Sequence, residues 1–467
     1  MPKKQLLLNA FNMNCVGHIQ HGLWAHPRDR STEYNTLSYW TDLARTLERG
    51  LFDGLFIADI LGVYDVYQGN VDVTLRESVQ LPVNDPLLLV SAMAAHTRHL
   101  GFGVTVNPLS ELPYLLARRF STLDQLTQGR FGWNIVRGYL DSAARALGLP
   151  NQIAHDERYD RADEFLEVLY KLLEGSWEDG AVRRDKAARV FADPARVHKV
   201  RHQGRYYQVE GYHLSEPSPQ RTPVLFQAGT SGRGQLFAAR HAEAVFVSGG
   251  DKAQVRQSVQ SLREAAVRAG RRPEDLKIVL GVTAVTGATT AEAQEKHADY
   301  VRYASPEAGL AHFAASLGLD LSHYDLDEPI DFSPPTQSIQ SAAAAARQKG
   351  WTRRQLLEQY KLGGRHPALV GNASQVADAL QAWVDETGVD GFNLSRTVVP
   401  ESFVDFVDHV VPELQNRGIY KTAYTEGTLR HKLFGRGDRL PDHHAAAQFR
   451  HRVEPASAQA DSEAALA

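Results

Sequence analysis

The chain reads as an α/β protein built on a (β/α)8 TIM barrel, and three observations predict it. Eight short apolar runs recur along the 467 residues, most of them followed by a stretch of helical periodicity. That alternation implies parallel strands covered by helices. Eight is also the count that favours a closed barrel. The third observation is PVLFQAGTSGRG, residues 223–234, where an apolar run breaks into small residues before a helix. Strand, flexible loop and helix N-terminus together hold anionic groups, because freed N–H groups converge on one point. An open doubly wound sheet is the alternative that the alternation leaves standing.

The strands are expected at 5–11 (QLLLNAF), 54–59 (GLFIAD), 100–107 (LGFGVTVN), 131–137 (FGWNIVR), 223–228 (PVLFQA), 242–248 (AEAVFVS), 277–284 (KIVLGVTA) and 390–395 (DGFNLS). Near-continuous apolar runs of this kind are buried on both faces. Amphipathic helices follow at 35–49, 86–98, 113–128, 157–173, 232–241, 252–269, 290–302 and 401–416. Two segments exceed the minimal barrel. Residues 174–222 follow the fourth helix and contain HKVRHQGRYYQVEGYHL, whose central Gly204 suggests a hairpin. Residues 303–370 belong to the seventh unit, are rich in Ala, Pro and Gly, and read either as a lid or as an oligomer contact. A single domain is expected over 1–439. The last stretch, 440–467, lacks an apolar period and reads as a disordered tail.

Composition narrows the function. Apolar residues make up 43% and charged residues 23%, ordinary for a soluble globular protein with a full core. Basic and acidic residues nearly balance, 51 against 55, and no strongly basic segment stands out. Nucleic acid and anionic membranes are therefore not expected as partners. Cys15 is the only cysteine, so no intrachain disulfide forms and a reducing compartment fits. MPKKQLLLNAFNMN reads as a first strand rather than a signal peptide, and no apolar run approaches the ~20 residues that span a bilayer. The expectation is a cytoplasmic protein.

Chemistry in such a barrel sits where strands end. That rule selects the segment from Asn12 to His26, Asp59, Thr105, Asn107, Asn134, Arg137, Thr230, Ser231, Asn393 and Ser395. No Gly-x-Ser-x-Gly elbow or suggestively spaced acid pair points to a hydrolase. No Walker A or Gly-x-Gly-x-x-Gly motif supplies a dinucleotide site. GHIQHGLWAHP brings His18, His21 and His26 close together, but no Cys or His-Glu motif completes a metal site, and none is expected. These histidines either hydrogen-bond around a loop or line a pocket as acid or donor. Cys15 reads as a small buried residue. In AHDERYDRADEFLE, residues 154–167, His155 and Tyr159 share one helix face. They read either as part of a capped surface helix or, beside GTSGRG, as phosphate donors.

STLDQLTQGRFGWNIV, HDERYDRADEFLEVLYKL, ARVFADPARVHKVRHQGRYYQV, SPQRTPVLFQAGTSGRG and RGIYKTAYTEGTLRHKL resemble the flavin-dependent monooxygenases related to bacterial luciferase. The resemblance runs from the first strand to about residue 435. It is strongest to the branch holding nitrilotriacetate, dibenzothiophene sulfone and dimethyl sulfide monooxygenases. LNAFNMNCVGHIQHGLWAHP and IADILGVYDVY look closest to the last of these. The resemblance implies a luciferase-like barrel that takes FMN as FMNH2 from a separate NAD(P)H-dependent flavin reductase, with O2 as co-substrate. It implies a homodimer or homotetramer, and oxygen transfer from a flavin C4a-(hydro)peroxide to a small, largely apolar compound. Carried onto this sequence, Asp59, Thr105, Asn134, His155, Tyr159, Thr230 and Ser231 would hold the cofactor, and His21 and His18 would handle the peroxide or its proton. Leu112, Arg137 and Trp24 are expected in the substrate pocket.

Two departures bear on the substrate. Leu112 stands where several relatives carry His before Pro-Tyr, which favours an apolar compound. Arg137-Gly138 replaces a small hydroxyl pair, and Arg137 favours an anion, with an ion pair or a flavin contact as its other readings. A thioether such as dimethyl sulfide is the first expectation. Oxidative dehalogenation of a chlorinated aromatic, or oxidation of an aromatic sulfone or aminopolycarboxylate, are alternatives. A non-catalytic flavin-binding barrel, or a deazaflavin site, would belong to other classes.

Overall fold

The computed structural model describes residues 4–229, 231–333, 338–362 and 364–451. Eight parallel strands form the barrel: β1 Leu7–Met13, β2 Gly54–Ala58, β3 Gly101–Val106, β4 Phe131–Ile135, β5 Val224–Gln227, β6 Ala244–Val247, β7 Lys277–Gly287 and β8 Gly391–Ser395. Neighbours in sequence are neighbours in the sheet, and β8 returns to β1 in the register Leu7↔Gly391 to Phe11↔Ser395. The pairing of β6 with β7, from Ala244↔Lys277 to Val247↔Leu280, completes the ring. The sheet closes, so the doubly wound alternative is excluded. A Cβ at Gly391 would lie 2.0 Å from the Leu7 carbonyl oxygen, so the closing seam requires glycine there.

Side chains alternate across each strand with a period of two. Leu55 and Ile57 pack outward into the main core with Phe102, Val104, Trp133 and Leu225, whereas Phe56 turns inward beside Phe226, Phe246 and Phe11. The covering helices are α1 Leu37–Arg49, α2 Leu87–Ala94, α3 Pro113–Leu126, α4 His155–Tyr170, α5 Gly232–His241, α6 Lys252–Arg268 and α7 Thr290–Tyr303. In α1, Trp40, Leu43, Ala44 and Leu47 are buried at i, i+3, i+4 and i+7, and the Thr36 hydroxyl caps the first turn by accepting from Tyr39 N. Helix α4 begins at His155, two residues earlier than expected, and runs on through a π turn, Lys171–Gly175.

The first insertion forms two hairpins, Val182–Asp185 with Val190–Ala192 and Val200–Gln203 with Gln208–Gly211. The second turns at Gly204, where Glu164 accepts from the backbone N–H groups of Tyr206 and Tyr207. The second insertion follows α7. Its helices α8 Pro306–Leu317, Gln340–Lys349 and Arg353–Gln359 share a small core of Leu310, Phe313, Leu321, Ile330, Phe332 and Leu356 with Tyr67 and Val73. Strand Ala368–Asn372 then pairs with the far end of β7, Thr283–Gly287, which explains why β7 outruns its expected end.

The expected tail from residue 440 is corrected over its first part. Leu440, His444 and Ala446 are buried, and His444 Nε2 meets the His241 carbonyl oxygen at 3.0 Å. This strap is tied by Glu174, whose carboxylate accepts from Arg439 Nη2 and Arg450 Nε at 2.8 Å each and from the Thr222 hydroxyl at 2.7 Å. Residues 452–467 lie outside the described residues. Burial opposes ionisation of Glu174, but Arg439 and Arg450 override it and hold the carboxyl at about 2. Glu174→Gln should therefore lower stability by roughly 2–3 kcal/mol in urea unfolding and expose the strap to protease. The wild-type contribution is fully present above pH 4.5 and lost as pH falls toward about 2. Equal unfolding midpoints for the two proteins at pH 7 would refute this.

Candidate active site

Barrel closure brings the C-terminal ends of all eight strands to one rim, where they surround a cavity of about 320 Å³. Its floor is aromatic: Phe11, Phe56 and Phe246, the last two with ring centroids 4.0 Å apart. Above the floor stand polar side chains from successive strand ends. Asn134 Nδ2 donates to Thr105 Oγ1 at 2.8 Å. Among the described residues Asn134 Oδ1 and Asn393 Oδ1 are buried without a partner. Buried polar atoms are normally paired, so orphans facing a cavity mark where a ligand supplies the missing bonds. Asp59 lines the same cavity, and burial pushes its carboxyl up to about 7.

One end of the cavity gathers hydrogen-bond donors and guanidinium groups. Ser231 is the N-cap of α5, and its Oγ accepts from Gly234 N at 3.1 Å. The Tyr159 hydroxyl lies 3.5 Å from Ser231 Oγ, and a Cβ at Gly234 would stand 2.5 Å from that hydroxyl, so the tight approach needs glycine. His155 and Arg158, one turn apart on α4, line the same end. The Arg137 guanidinium lies 3.5 Å over the Tyr159 ring, and among the described residues its buried Nη1 has no hydrogen-bond partner. Arg233 is neutralised by Asp163 and Asp160.

The opposite wall carries histidines from distant segments. His21 Nε2 meets His312 Nδ1 at 2.9 Å, His312 Nε2 meets the Tyr64 hydroxyl at 3.2 Å, and Tyr64 donates to Gln80 Oε1 at 2.6 Å. Since Tyr64 gives its proton to Gln80, His312 Nε2–H donates to Tyr64 and His21 Nε2–H donates to His312. Three N–H or O–H groups thus point the same way. Burial, reinforced by Arg365, holds His21 and His366 at about 3, and burial also keeps His18 and His312 well below the usual range. All four imidazoles are neutral at physiological pH. Arg365 Nη2 is anchored on Ser316 Oγ at 2.7 Å, and His366 Nδ1 meets Ser395 Oγ at 2.8 Å.

The cavity gathers Asp59, Thr105, Asn134, His155, Tyr159, Ser231, His18 and Arg137. Thr230 lies outside the described residues. Other expectations are corrected. Leu112 is 62% exposed at the N-cap of α3 and does not line the cavity, because the helix start turns its side chain to solvent. Trp24, in the short turn Leu23–Ala25, is likewise absent from the lining. His21 stands behind the lining, joined to it through His312. Arg137 lines the cavity, stacked over the Tyr159 ring. His26 pairs with Asp299 on α7 at 2.9 Å, away from His18 and His21. The Cys15 thiol is buried, donates to Gly17 O, and is pushed up to about 12 by that burial. Sequence reasoning missed Tyr64, Gln80, His312, Arg365 and His366. The only local signal was a His amid the small apolar run GLAHFAAS.

Fold and site together define a class: a (β/α)8 enzyme with a cavity at the C-terminal ends of its strands. A profile of the luciferase-like monooxygenases matches residues 18–391. Dimethyl-sulfide monooxygenase from Hyphomicrobium sulfonivorans is 50% identical over 452 residues, 96% of this chain and 94% of that protein. Long-chain alkane monooxygenase from Geobacillus thermodenitrificans is 49% identical over 449 residues, 96% of this chain and 98% of that protein. A crystal structure of riboflavin lyase with modified FMN and riboflavin aligns with a TM-score of 0.91 at 37% identity, covering 96% of this chain and 100% of the other. The chain belongs to the luciferase-like monooxygenase family. No helix among the described residues is long and apolar enough to cross a membrane.

The position of Asp59 yields a pH prediction. Its folded value of about 7 lies above the ordinary 3.8, so the folded protein binds this proton more tightly than the unfolded chain. Stability from this group is present at low pH and declines as pH rises from 3.8 toward about 7. Asp59→Asn should remove that decline, seen as a flatter melting temperature between pH 5 and 8. Identical pH profiles in both proteins would show that Asp59 titrates normally.

Proposed function

We propose that the chain is an FMNH2-dependent, two-component monooxygenase acting on a small, largely apolar compound, with a thioether such as dimethyl sulfide as the first substrate to try. The observation that carries the reading is one cavity joining an anion cradle to an aromatic floor beneath a cap. The donor set fits FMN. Ser231, His155, Tyr159, Arg158 and the N-terminus of α5 suit a phosphate. Asp59, Thr105 and Asn134, with an orphaned Oδ1, suit the ribityl and ring heteroatoms. When bound and reduced, the flavin supplies the two electrons that send one atom of O2 into the substrate and the other into water. No dinucleotide motif accompanies the site, which supports supply of those electrons by a separate NAD(P)H-dependent reductase.

The chain's own residues then orient, exclude water and hold protons. The second insertion contributes His312, Ile339, Gln340, Arg365 and His366 to the lining, which supports the lid reading over an oligomer contact. The aligned relay from His21 through His312 to Tyr64 spends its N–H and O–H groups internally, ending on Gln80, and fixes these side chains without a charged imidazolium, so this wall is a poor acid. Long-chain alkane oxidation is a second reading, favoured by the 49% identity to an alkane enzyme.

The test is anaerobic loading with reduced FMN, then mixing with O2 and dimethyl sulfide, hexadecane or a chlorinated aromatic. Oxygenated product from one candidate is expected. Flavin binding with no substrate consumed would leave a non-catalytic barrel. Ser231→Ala with His155→Ala should weaken reduced-FMN binding roughly a hundredfold, since each removes a hydrogen bond to a charged group. Unchanged affinity in the double variant would place the phosphate elsewhere. Tyr64→Phe should keep flavin affinity within about twofold but divert oxygen to H2O2, because the relay loses its acceptor for His312. Product yield per O2 consumed measures this, and an unaltered yield would remove the relay from the chemistry.

A further inference from the structure

Arg137 presents a problem that neither the fold nor its neighbours resolve. It follows β4 by two residues and folds back over the Tyr159 ring at 3.5 Å, with Phe237 beyond at 5.3 Å. This aromatic clamp fixes the guanidinium plane. A Cβ at Gly229 would lie 3.4 Å from Arg137 Nη2, so the guanidinium runs along the loop that leads into Ser231 and α5. Arg137 Nη1 is enclosed with no hydrogen-bond partner among the described residues. Burial works against its charge and the field of Arg137 works against Arg158. A guanidinium keeps its proton in such a setting, so the site holds cationic charge in want of an anion. The neighbouring Arg233 offers no relief, being already paired with Asp160 and Asp163.

We propose that Arg137 grips the phosphate of the cofactor through Nη1, beside Ser231 and Tyr159, and thereby makes this chain select a phosphorylated flavin over an unphosphorylated one. This rests on the FMN reading above and adds to it the residue that sets phosphate selectivity. It also reassigns Arg137 away from the substrate. Stacking on Tyr159 leaves the guanidinium edge free to donate, which is how arginine combines π contact with anion recognition. The helix start supplies N–H dipoles, and Arg137 supplies the full charge that a dianion needs in an enclosed site.

The test is anaerobic titration of the full-length protein with reduced FMN and, separately, reduced riboflavin, followed by flavin absorbance. The two ligands share the ring and ribityl chain and differ only in the phosphate. In Arg137→Ser and Arg137→Met, FMN affinity should fall roughly 30-fold, as for loss of a buried charged hydrogen bond, while riboflavin affinity stays within about twofold. Arg137→Lys should recover part of the FMN preference. Inorganic phosphate should compete with FMN in the wild type and less in the serine variant. If wild type prefers FMN and the variants keep that preference, the assignment is overturned. Equal losses for both flavins would overturn it too, making Arg137 a prop for Tyr159. Unchanged flavin binding with altered substrate preference would return Arg137 to the substrate side. A wild type that binds neither flavin would instead sink the FMN reading itself, and this inference with it.

Discussion

Closure of the sheet is the constraint on which everything else depends. Eight parallel strands satisfy their backbone hydrogen bonds only when β8 meets β1, and the seam admits no side chain at Gly391. Parallel closure sends every C-terminal strand end to the same rim. Residues scattered from Phe11 to Asn393 therefore border one cavity. The alternation across each strand then divides labour. Outward positions such as Leu55 and Ile57 anchor the helices, while inward positions such as Phe56 make the cavity floor.

Desolvation acts differently on the two ends of that cavity. At one end the histidines simply lose their protons, and a wall of neutral imidazoles results. At the other end arginine cannot escape its charge in the same way, so Arg137 and Arg158 keep it under strain. A single barrel mouth thus holds buried guanidinium charge and neutral imidazoles around one cavity.

Elements outside the barrel complete this division. The cap carries its own small core, so it docks as a unit and still delivers His312, Ile339 and Arg365 to the lining. On the α4 and α5 side, the C-terminal strap packs His444 on the His241 carbonyl, and His241 in turn holds Asp163, the partner of Arg233. The strap thereby braces α5, the helix that Ser231 caps.

By itself the sequence determined the eight strands, their order and the strand-loop-helix at Ser231, because apolar periodicity and Gly-Ser loop chemistry are local properties. GTSGRG and HDERY could be read as donors to one ligand since each motif sits within a single turn or helix start. The family was legible for the same reason, in long contiguous motifs. Tertiary structure alone decided the rest. His21 meets His312 across 291 residues, and nothing near either one announces the pairing. Leu112 looked like a pocket residue but faces solvent, because the rotation of a helix start depends on what the helix packs against. The place of Arg137 over Tyr159 follows from how the loop after β4 lies against α4. The segment after residue 440 has no periodicity of its own and takes its form from Glu174 and the grooves it fills. Local patterns encode which face of an element is buried, whereas partners far apart in the chain are chosen by barrel closure and docking.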